Sequence, residues 1–387
     1  MKILHVAQKL PGGPASYLAE ILDYQHERFG GGNVLISACQ TELSHLPNFP
    51  ASGWRPFASS SRAPVPLWRF ISDVMAVIRR DRPDLVHLHS SFSGLLRLFI
   101  ARLPDSIRPA VVYCPHGWSF NIATNRPRKL AYVAAERMLA GKGDATIVIS
   151  GFEHRSAIAS GLPIANMHVV RNGIAQDPSP LPAPRMAFDP AKLNLLFIGR
   201  LDRQKGYDIL LEAMRRLSDR PIHLHMLGAS VVDVDRAWGD DLANVTTHGW
   251  IARNQVFGFI DAADAVVVPS RWEGFGLAAI EAMRQGKPVI ASAVDALPEV
   301  VGDTGFLVPS DDAAALADVL GSLDRLQLSR LGEQAHERFL ANFTADRLNR
   351  ELIEVYEAAL VARYGPGTRP VPPALGCGSI VETKKIA

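Results

Sequence analysis

Pro269-Ser-Arg-Trp-Glu-Gly-Phe-Gly-Leu-Ala-Ala-Ile-Glu-Ala-Met283 follows directly on the apolar run 265–268, Ala-Val-Val-Val. The β-branched run reads as a buried strand, and the glycines after it end that strand. Leu277 to Met283 is built from strong helix formers, so the turn 274–276 opens a helix. A strand passing into a helix through a short loop is half of a parallel βαβ unit. Backbone N–H groups left free at such a helix start hold phosphate oxygens without a positive side chain. Glu273 and Glu281 stand eight residues apart with Gly274 and Gly276 between them. Glu281 falls about two turns into the helix, where a carboxylate can accept from ribose hydroxyls, and Glu273 on the loop can reach a second sugar. Two glutamates alone would be ordinary surface charge. A carboxylate–glycine–carboxylate pattern at a strand-to-helix turn is far more specific.

Outward from this stretch the same alternation fills the chain. Near-continuously apolar strands are expected at 2–7, 33–38, 85–89, 110–114, 145–149 and 168–170, then at 194–198, 223–227, 245–247, 265–268, 288–291 and 305–308. Helical patterns at 16–28, 66–80, 93–103, 128–140 and 207–216 lie between them. Strands of this kind belong to parallel sheets covered on both faces. The fold class is therefore α/β, with two Rossmann-like, doubly wound parallel-sheet domains. A proline-rich stretch without periodicity, 176–190, reads as the linker between them. We expect a first domain over 1–172, a second over 173–345, an amphipathic helix at 346–363 and a mobile tail at 364–387. Two such domains set the carboxyl ends of both sheets across a cleft, where open α/β sheets bind ligands.

Bulk properties agree. A chain of 387 residues is too long for one ordinary core. It is 48% hydrophobic and 21% charged, and no apolar run approaches the roughly 18 residues of a membrane span. The apolar start Ile3 to Ala7 is too short for a signal peptide. Cys39, Cys114 and Cys377 are far apart, suggesting neither disulfides nor a zinc site, and a reducing cytoplasm is expected. Residues 1–172 carry 19 Lys and Arg against 11 Asp and Glu, a net of +8, whereas the remainder carries −6. The basic half either faces something anionic, a phospholipid surface or a diphosphate, or pairs with the acidic half.

Three further features bear on chemistry. Gly12 and Gly13 follow the first strand and precede a helix, as a tight turn or as a loop lying close to an anion. Gly199-Arg-Leu-Asp-Arg-Gln-Lys-Gly206 puts Arg200 at a strand's carboxyl end and Lys205 just before a helix. Both are either solvated loop cations or a clamp for a diphosphate. Asp233-Val-Asp235 has the spacing of a divalent-ion pair but sits in a loop, and the solvated reading is preferred. His87 and His89 read as buried and hydrogen-bonded, with one face of their strand toward core and the other toward the cleft. His116 differs, since it follows a strand and precedes Gly117.

Glu273-x7-Glu281 with Gly199-Arg200…Lys205-Gly206 resembles retaining glycosyltransferase family 4, which has the GT-B fold. The resemblance extends through Gly12-Gly13, Pro83-Asp-Leu-Val-His-Leu-His89, His116-Gly117, Asn172-Gly173 and Pro298-Glu299…Gly305-Phe-Leu-Val-Pro. It implies a metal-independent transferase, with the sugar of a nucleotide-sugar, UDP-linked first and GDP-mannose second, passing to a saccharide acceptor. Arg200 and Lys205 would then bind the diphosphate, joined by backbone amides of Phe275, Gly276 and Leu277. Glu281 would take the ribose, Glu273 the sugar hydroxyls, and His116 would face that sugar from the first domain. Gly12 and Gly13 would let their loop close on the phosphates, Gly199 would belong to the donor site with Arg200, and Trp250 or its backbone would line the base. No protein nucleophile is implied, because a phosphate oxygen takes the acceptor proton. No cofactor, metal or nucleic acid is expected. The 346–363 helix would pack back on the first domain. That domain, with basic amphipathic stretches near 67–80 and 126–139, would take a lipid-linked acceptor at the inner membrane surface, in surface polysaccharide synthesis. One departure stands out: Asp295-Ala-Leu-Pro-Glu299 replaces a pair of glycines before Pro-Glu.

Other classes fit less well. A nicotinamide oxidoreductase lacks its G-x-G-x-x-G turn here and the acidic residue that should follow. An epimerase of the same fold would need extra cleft carboxylates and histidines. A silent sugar-binding module would not need the full set of leaving-group contacts.

Overall fold

The computed structural model describes residues 1–122, 124–177, 187–229 and 241–366. Most of the expected linker, Asp233 and Asp235, and the tail beyond residue 366 lie outside these.

Strands β1 (Ile3–Ala7), β2 (Val34–Ala38), β3 (Leu85–His89), β4 (Ala110–Cys114), β5 (Ala145–Val148) and β6 (Met167–Val169) form one parallel sheet, ordered β2-β1-β3-β4-β5-β6. Strands β7 (Leu193–Ile198), β8 (Ile222–Leu227), β9 (Val245–Thr247), β10 (Ala265–Val268), β11 (Val289–Ser292) and β12 (Phe306–Val308) form a second, ordered β12-β11-β10-β7-β8-β9. Each expected strand is present within one residue at either end. Every residue of β1, β2, β3 and β4 is buried, as sheets covered on both faces require. Counted from its own first strand, the second sheet has the dinucleotide-fold order 3-2-1-4-5-6, and the first begins 2-1-3-4-5.

The first sheet is flanked by α1 (Gly13–Phe29), α2 (Pro64–Asp81), α3 (Ser91–Gly94), α4 (Arg97–Ile100), α5 (Arg126–Ala140) and α6 (Gly151–Ala159). The second carries α7 (Tyr207–Arg216), α8 (Arg253–Ala262), α9 (Leu277–Arg284), α10 (Leu297–Val301), α11 (Ala313–Ser322) and α12 (Arg325–Asn342). The last helix, α13 (Ala345–Tyr364), lies against β4, β5 and α1.

The single helix expected at 93–103 is instead the pair α3 and α4. The Arg97 Nε donates to the Gly94 carbonyl, which a continuing helix would offer to the Leu98 amide, and Leu98 bonds to Leu95 in a tighter turn. Arg97 is held there by a buried pair with Glu136 at 2.7 Å, and Tyr113 donates to the same carboxylate. His87 and His89 are buried and hydrogen-bonded as expected, but they do not divide between core and cleft. Two residues apart on β3, they share one face of the sheet, and both are fully buried.

The chain crosses between the sheets twice, side by side. Ile174 pairs with Thr344, and a Cβ on Gly173 would lie 2.2 Å from the Thr344 carbonyl oxygen. One buried cluster runs from Ile3 and Val112 through Phe343 and Phe275 to Val266, joining both sheets.

Candidate active site

Each sheet has a switch point where its strand order reverses, between β1 and β3 in the first and between β7 and β10 in the second. Ligands of open α/β sheets bind at those points, outside the strands' carboxyl ends. The turns containing Gly12, Arg200 and Glu273 leave β1, β7 and β10 there.

Lys205 and Glu273 meet at the second switch point, Nζ to Oε2, at 2.5 Å, and Ser270 Oγ donates to the same oxygen at 3.2 Å. Glu273 is buried, and the pair leaves neither charge without a partner. Arg200 is more exposed and lies 3.0 Å from Asp202 Oδ2, also donating to Gln204. The two loops are locked together from behind by Arg271. Its guanidinium bonds both Asp208 oxygens, Asp311 and the Arg203 carbonyl, and these carboxylates raise its already high pKa.

Close backbone approach explains the glycines. A Cβ on Gly228 would lie 1.8 Å from the Gly199 carbonyl oxygen, and one on Gly206 would lie 2.0 Å from that of Pro269. Gly276 caps α9 at φ 102°, a conformation that other residues rarely adopt. Around Gly12 and Gly13 an added Cβ would meet nothing within 4 Å. Phe275 is buried edge-on to Phe343, 5.8 Å between centroids, and orients the turn into α9. Leu277 is the first residue of α9, and Glu281 sits partly buried one turn on. Trp250 stands 75% exposed after Gly249, whose carbonyl accepts from the Gly228 amide.

The first sheet reaches the second through His116 and Gly117. A Cβ on Gly274 would lie 3.9 Å from the His116 carbonyl oxygen and 4.0 Å from Gly117 Cα. His116 has φ 51°, and burial lowers its pKa to about 3, so it is neutral at pH 7. Its Nε2 contacts His89 Nδ1 at 2.9 Å, and Tyr17 packs edge-on at 4.8 Å. Buried Glu153 lies beneath this turn; burial raises its pKa to about 8, against bonds from the Ile149 and Gly117 amides. Among the described residues His5, His87 and His89 come close enough to share a metal ion, with ligand atoms within 4.8 Å of one another. Both ring nitrogens of His5 and of His89 are already engaged in hydrogen bonds, which opposes ligation.

Comparison with known proteins gives the family. Residues 11–177 match the model of glycosyltransferase family 4, and 192–324 that of the group 1 glycosyl transferases. A D-inositol 3-phosphate glycosyltransferase of Geodermatophilus obscurus is 30% identical, over 94% of this chain and 88% of its own. The chain belongs to glycosyltransferase family 4. A Klebsiella pneumoniae protein described as uncharacterized, from the cps region, is 28% identical over 92% of this chain and 100% of its own. The crystal structure of the Anabaena protein HepE in complex with UDP and glucose has the same fold, with a TM-score of 0.71 and 20% identity. It covers 92% of this chain and 100% of its own.

In this family 4 glycosyltransferase the departure at Asp295 acquires a shape. Asp295 takes φ 49°, the left-handed backbone that a glycine would otherwise supply and that Asp tolerates better than most residues. Its Oδ2 accepts from the Glu273 amide at 2.8 Å, which fixes the loop bearing Glu273. Burial and the Glu273 charge raise its pKa, against that amide. Sequence reading had flagged the substitution without a role for it. Ser270, Gln204 and Arg271 were missed altogether: the partners of Gln204 and Arg271 lie more than 60 residues along the chain, and Ser270 reaches Glu273, three residues on, only through the shape of the loop.

Proposed function

We propose that this glycosyltransferase moves a sugar from a nucleotide-sugar to a saccharide acceptor, with retention and without a metal ion. The observation that carries the reading is the approach of the Gly274 turn to His116 and Gly117, beside the Lys205–Glu273 pair. In this reading a donor diphosphate draws Lys205 and Arg200 from their carboxylates, joined by the amides of Phe275, Gly276 and Leu277 at the start of α9. Glu273, released from Lys205, accepts from hydroxyls of the transferred sugar, and Glu281 accepts from the ribose. His116 faces that sugar, and the open space over Gly12 and Gly13 admits the phosphates. Gly199 gives Lys205 room, and Trp250 is assigned to the base. As the bond to the leaving group breaks, the cations stabilise the growing diphosphate charge. A phosphate oxygen takes the acceptor proton, and no protein nucleophile is assigned.

UDP is the favoured nucleotide, and the UDP held by HepE supports that choice; GDP-mannose is second. The cps-region relative supports surface polysaccharide synthesis; the cytoplasmic face of the cell membrane is where the proposal sets it. A lipid-linked acceptor is supported by apolar side chains exposed among cations. Trp68 is 62% exposed beside Arg69, and Leu130 and Met138 are 61% and 60% exposed on α5 with Arg126, Arg128, Lys129 and Arg137. No described helix is long and apolar enough to cross a membrane. The proposal assigns membrane contact to this exposed apolar and basic surface, and cosedimentation with anionic vesicles at low salt tests it.

The decisive experiment presents UDP-, GDP- and ADP-sugars with and without EDTA and follows nucleoside diphosphate release. Release from one donor that chelator leaves unchanged is expected. Loss of release with EDTA would overturn metal independence, and an epimerised donor without release would overturn transfer itself.

A further inference from the structure

The face of the first sheet beneath His116 carries a single file of neutral groups that ends at a glutamine. Gln25 of α1, His5 of β1 and His89 of β3 are each fully buried. Gln25 Oε1 lies 2.7 Å from His5 Nε2, His5 Nδ1 lies 3.0 Å from His89 Nε2, and His89 Nδ1 lies 2.9 Å from His116 Nε2. The amide end of Gln25 donates to Tyr356 of α13, which contacts His87. An amide oxygen only accepts, so His5 must carry its proton on Nε2 and offer Nδ1 as acceptor. His89 must then donate from Nε2, and its Nδ1 accepts in turn. The last member, His116, can therefore only donate from Nε2. A proton added to His5 or His89 would set two N–H groups against each other, whereas His116 gains one at Nδ1 without breaking the file.

We propose that Gln25, acting through His5 and His89, is a positioning residue that holds His116 in its Nε2–H tautomer and leaves Nδ1 as the ring's acceptor. The consequence for transfer rests on the reading under Proposed function: a neutral His116 with a fixed acceptor nitrogen is ready for a sugar hydroxyl. The tautomer itself does not depend on that reading.

The test is nitrogen NMR of the ligand-free protein with labelled histidine, His116 being assigned by the signal lost in His116→Ala. Wild type is expected to show His116 as Nε2–H alone. Gln25→Leu, or Gln25→Met should that variant not fold, is expected to give a mixture of both tautomers. Gln25→Glu is expected to restore the single form, because a carboxylate also only accepts. With the donor that wild type turns over, Gln25→Leu should lower kcat at least ~10-fold and move donor KM less than about twofold, and Gln25→Glu should recover much of the rate. A wild-type Nδ1–H form, or an unchanged tautomer in both apolar variants, overturns the proposal. So does one equivalent of zinc that shifts His5, His87 and His89 together, which would make the cluster a metal centre. If no donor is turned over while the tautomers behave as stated, the transferase reading fails and the hydrogen-bonded file stands.

Discussion

Lys205 and Glu273 neutralise each other in a half-buried position, so removing either leaves the other charge poorly solvated. Lys205→Ala or Glu273→Ala is expected to lower donor turnover by roughly 10²–10³-fold, measured as nucleoside diphosphate release. Asp295 serves the same loop through the Glu273 amide. Asp295→Ala loses that bond and keeps the strained backbone, and should cost about 1–3 kcal/mol in denaturant unfolding. Asp295→Gly should recover part of that cost by relieving the backbone. The buried histidines give a pH signature. Burial lowers His5 from 6.5 to about 4, and holds His87 and His89 well below the usual value. A lowered histidine pKa means that the unfolded chain binds protons that the native state refuses, so stability is full above pH 6.5. It falls as pH drops from 6.5 toward 4, by about 2 kcal/mol at pH 5 for His5 alone. Denaturant melts at pH 7.5 and 5.0 should show that loss, and it should shrink in His5→Gln. The turns that carry the glutamates, Lys205 and Arg200 were legible in the sequence because strand ends, helix starts and glycine spacing are local. His5 and Gln25 were not, since a histidine in an apolar strand carries no local sign of its partners.

At the scale of elements, α9 and its cap decide how the amides of Phe275, Gly276 and Leu277 are presented. Gly276 combines a positive φ with a Cβ that would meet Leu297 Cδ2 at 2.8 Å. Gly276→Ala should therefore tilt the start of α9 and raise donor KM more than it lowers kcat. Gly117→Ala, at φ 106° and with its Cβ in ordinary contact with Glu153 Oε1 at 3.9 Å, tests backbone strain by the same split. Strands were read within a residue because a parallel strand's apolar run is set by its own burial on both faces. The split of α3 from α4 was illegible, because Arg97 leaves the helix register for Glu136, on another helix 39 residues away.

The whole molecule is tied across the cleft by Glu299. Its carboxylate accepts from the Gly151 and Phe152 amides at the start of α6 and from Arg171 at 2.8 Å, joining the second sheet's α10 to the first domain. Burial alone would raise its pKa, yet these donors hold it below the usual range. Glu299→Ala should lower stability by roughly 1–3 kcal/mol and enlarge the ligand-free molecule in small-angle scattering. An unchanged radius with lost stability would limit Glu299 to a local helix cap.

The sequence by itself determined two doubly wound parallel sheets and the turns at their strand ends, because burial periodicity, helix starts and glycine turns act within a few residues. Only the tertiary structure decided that Lys205 rests on Glu273, that Asp295 takes a glycine's conformation beneath it, and that a file of histidines runs from Gln25 to His116. Those contacts join residues that the chain brings together only when the switch points of both sheets are folded and faced.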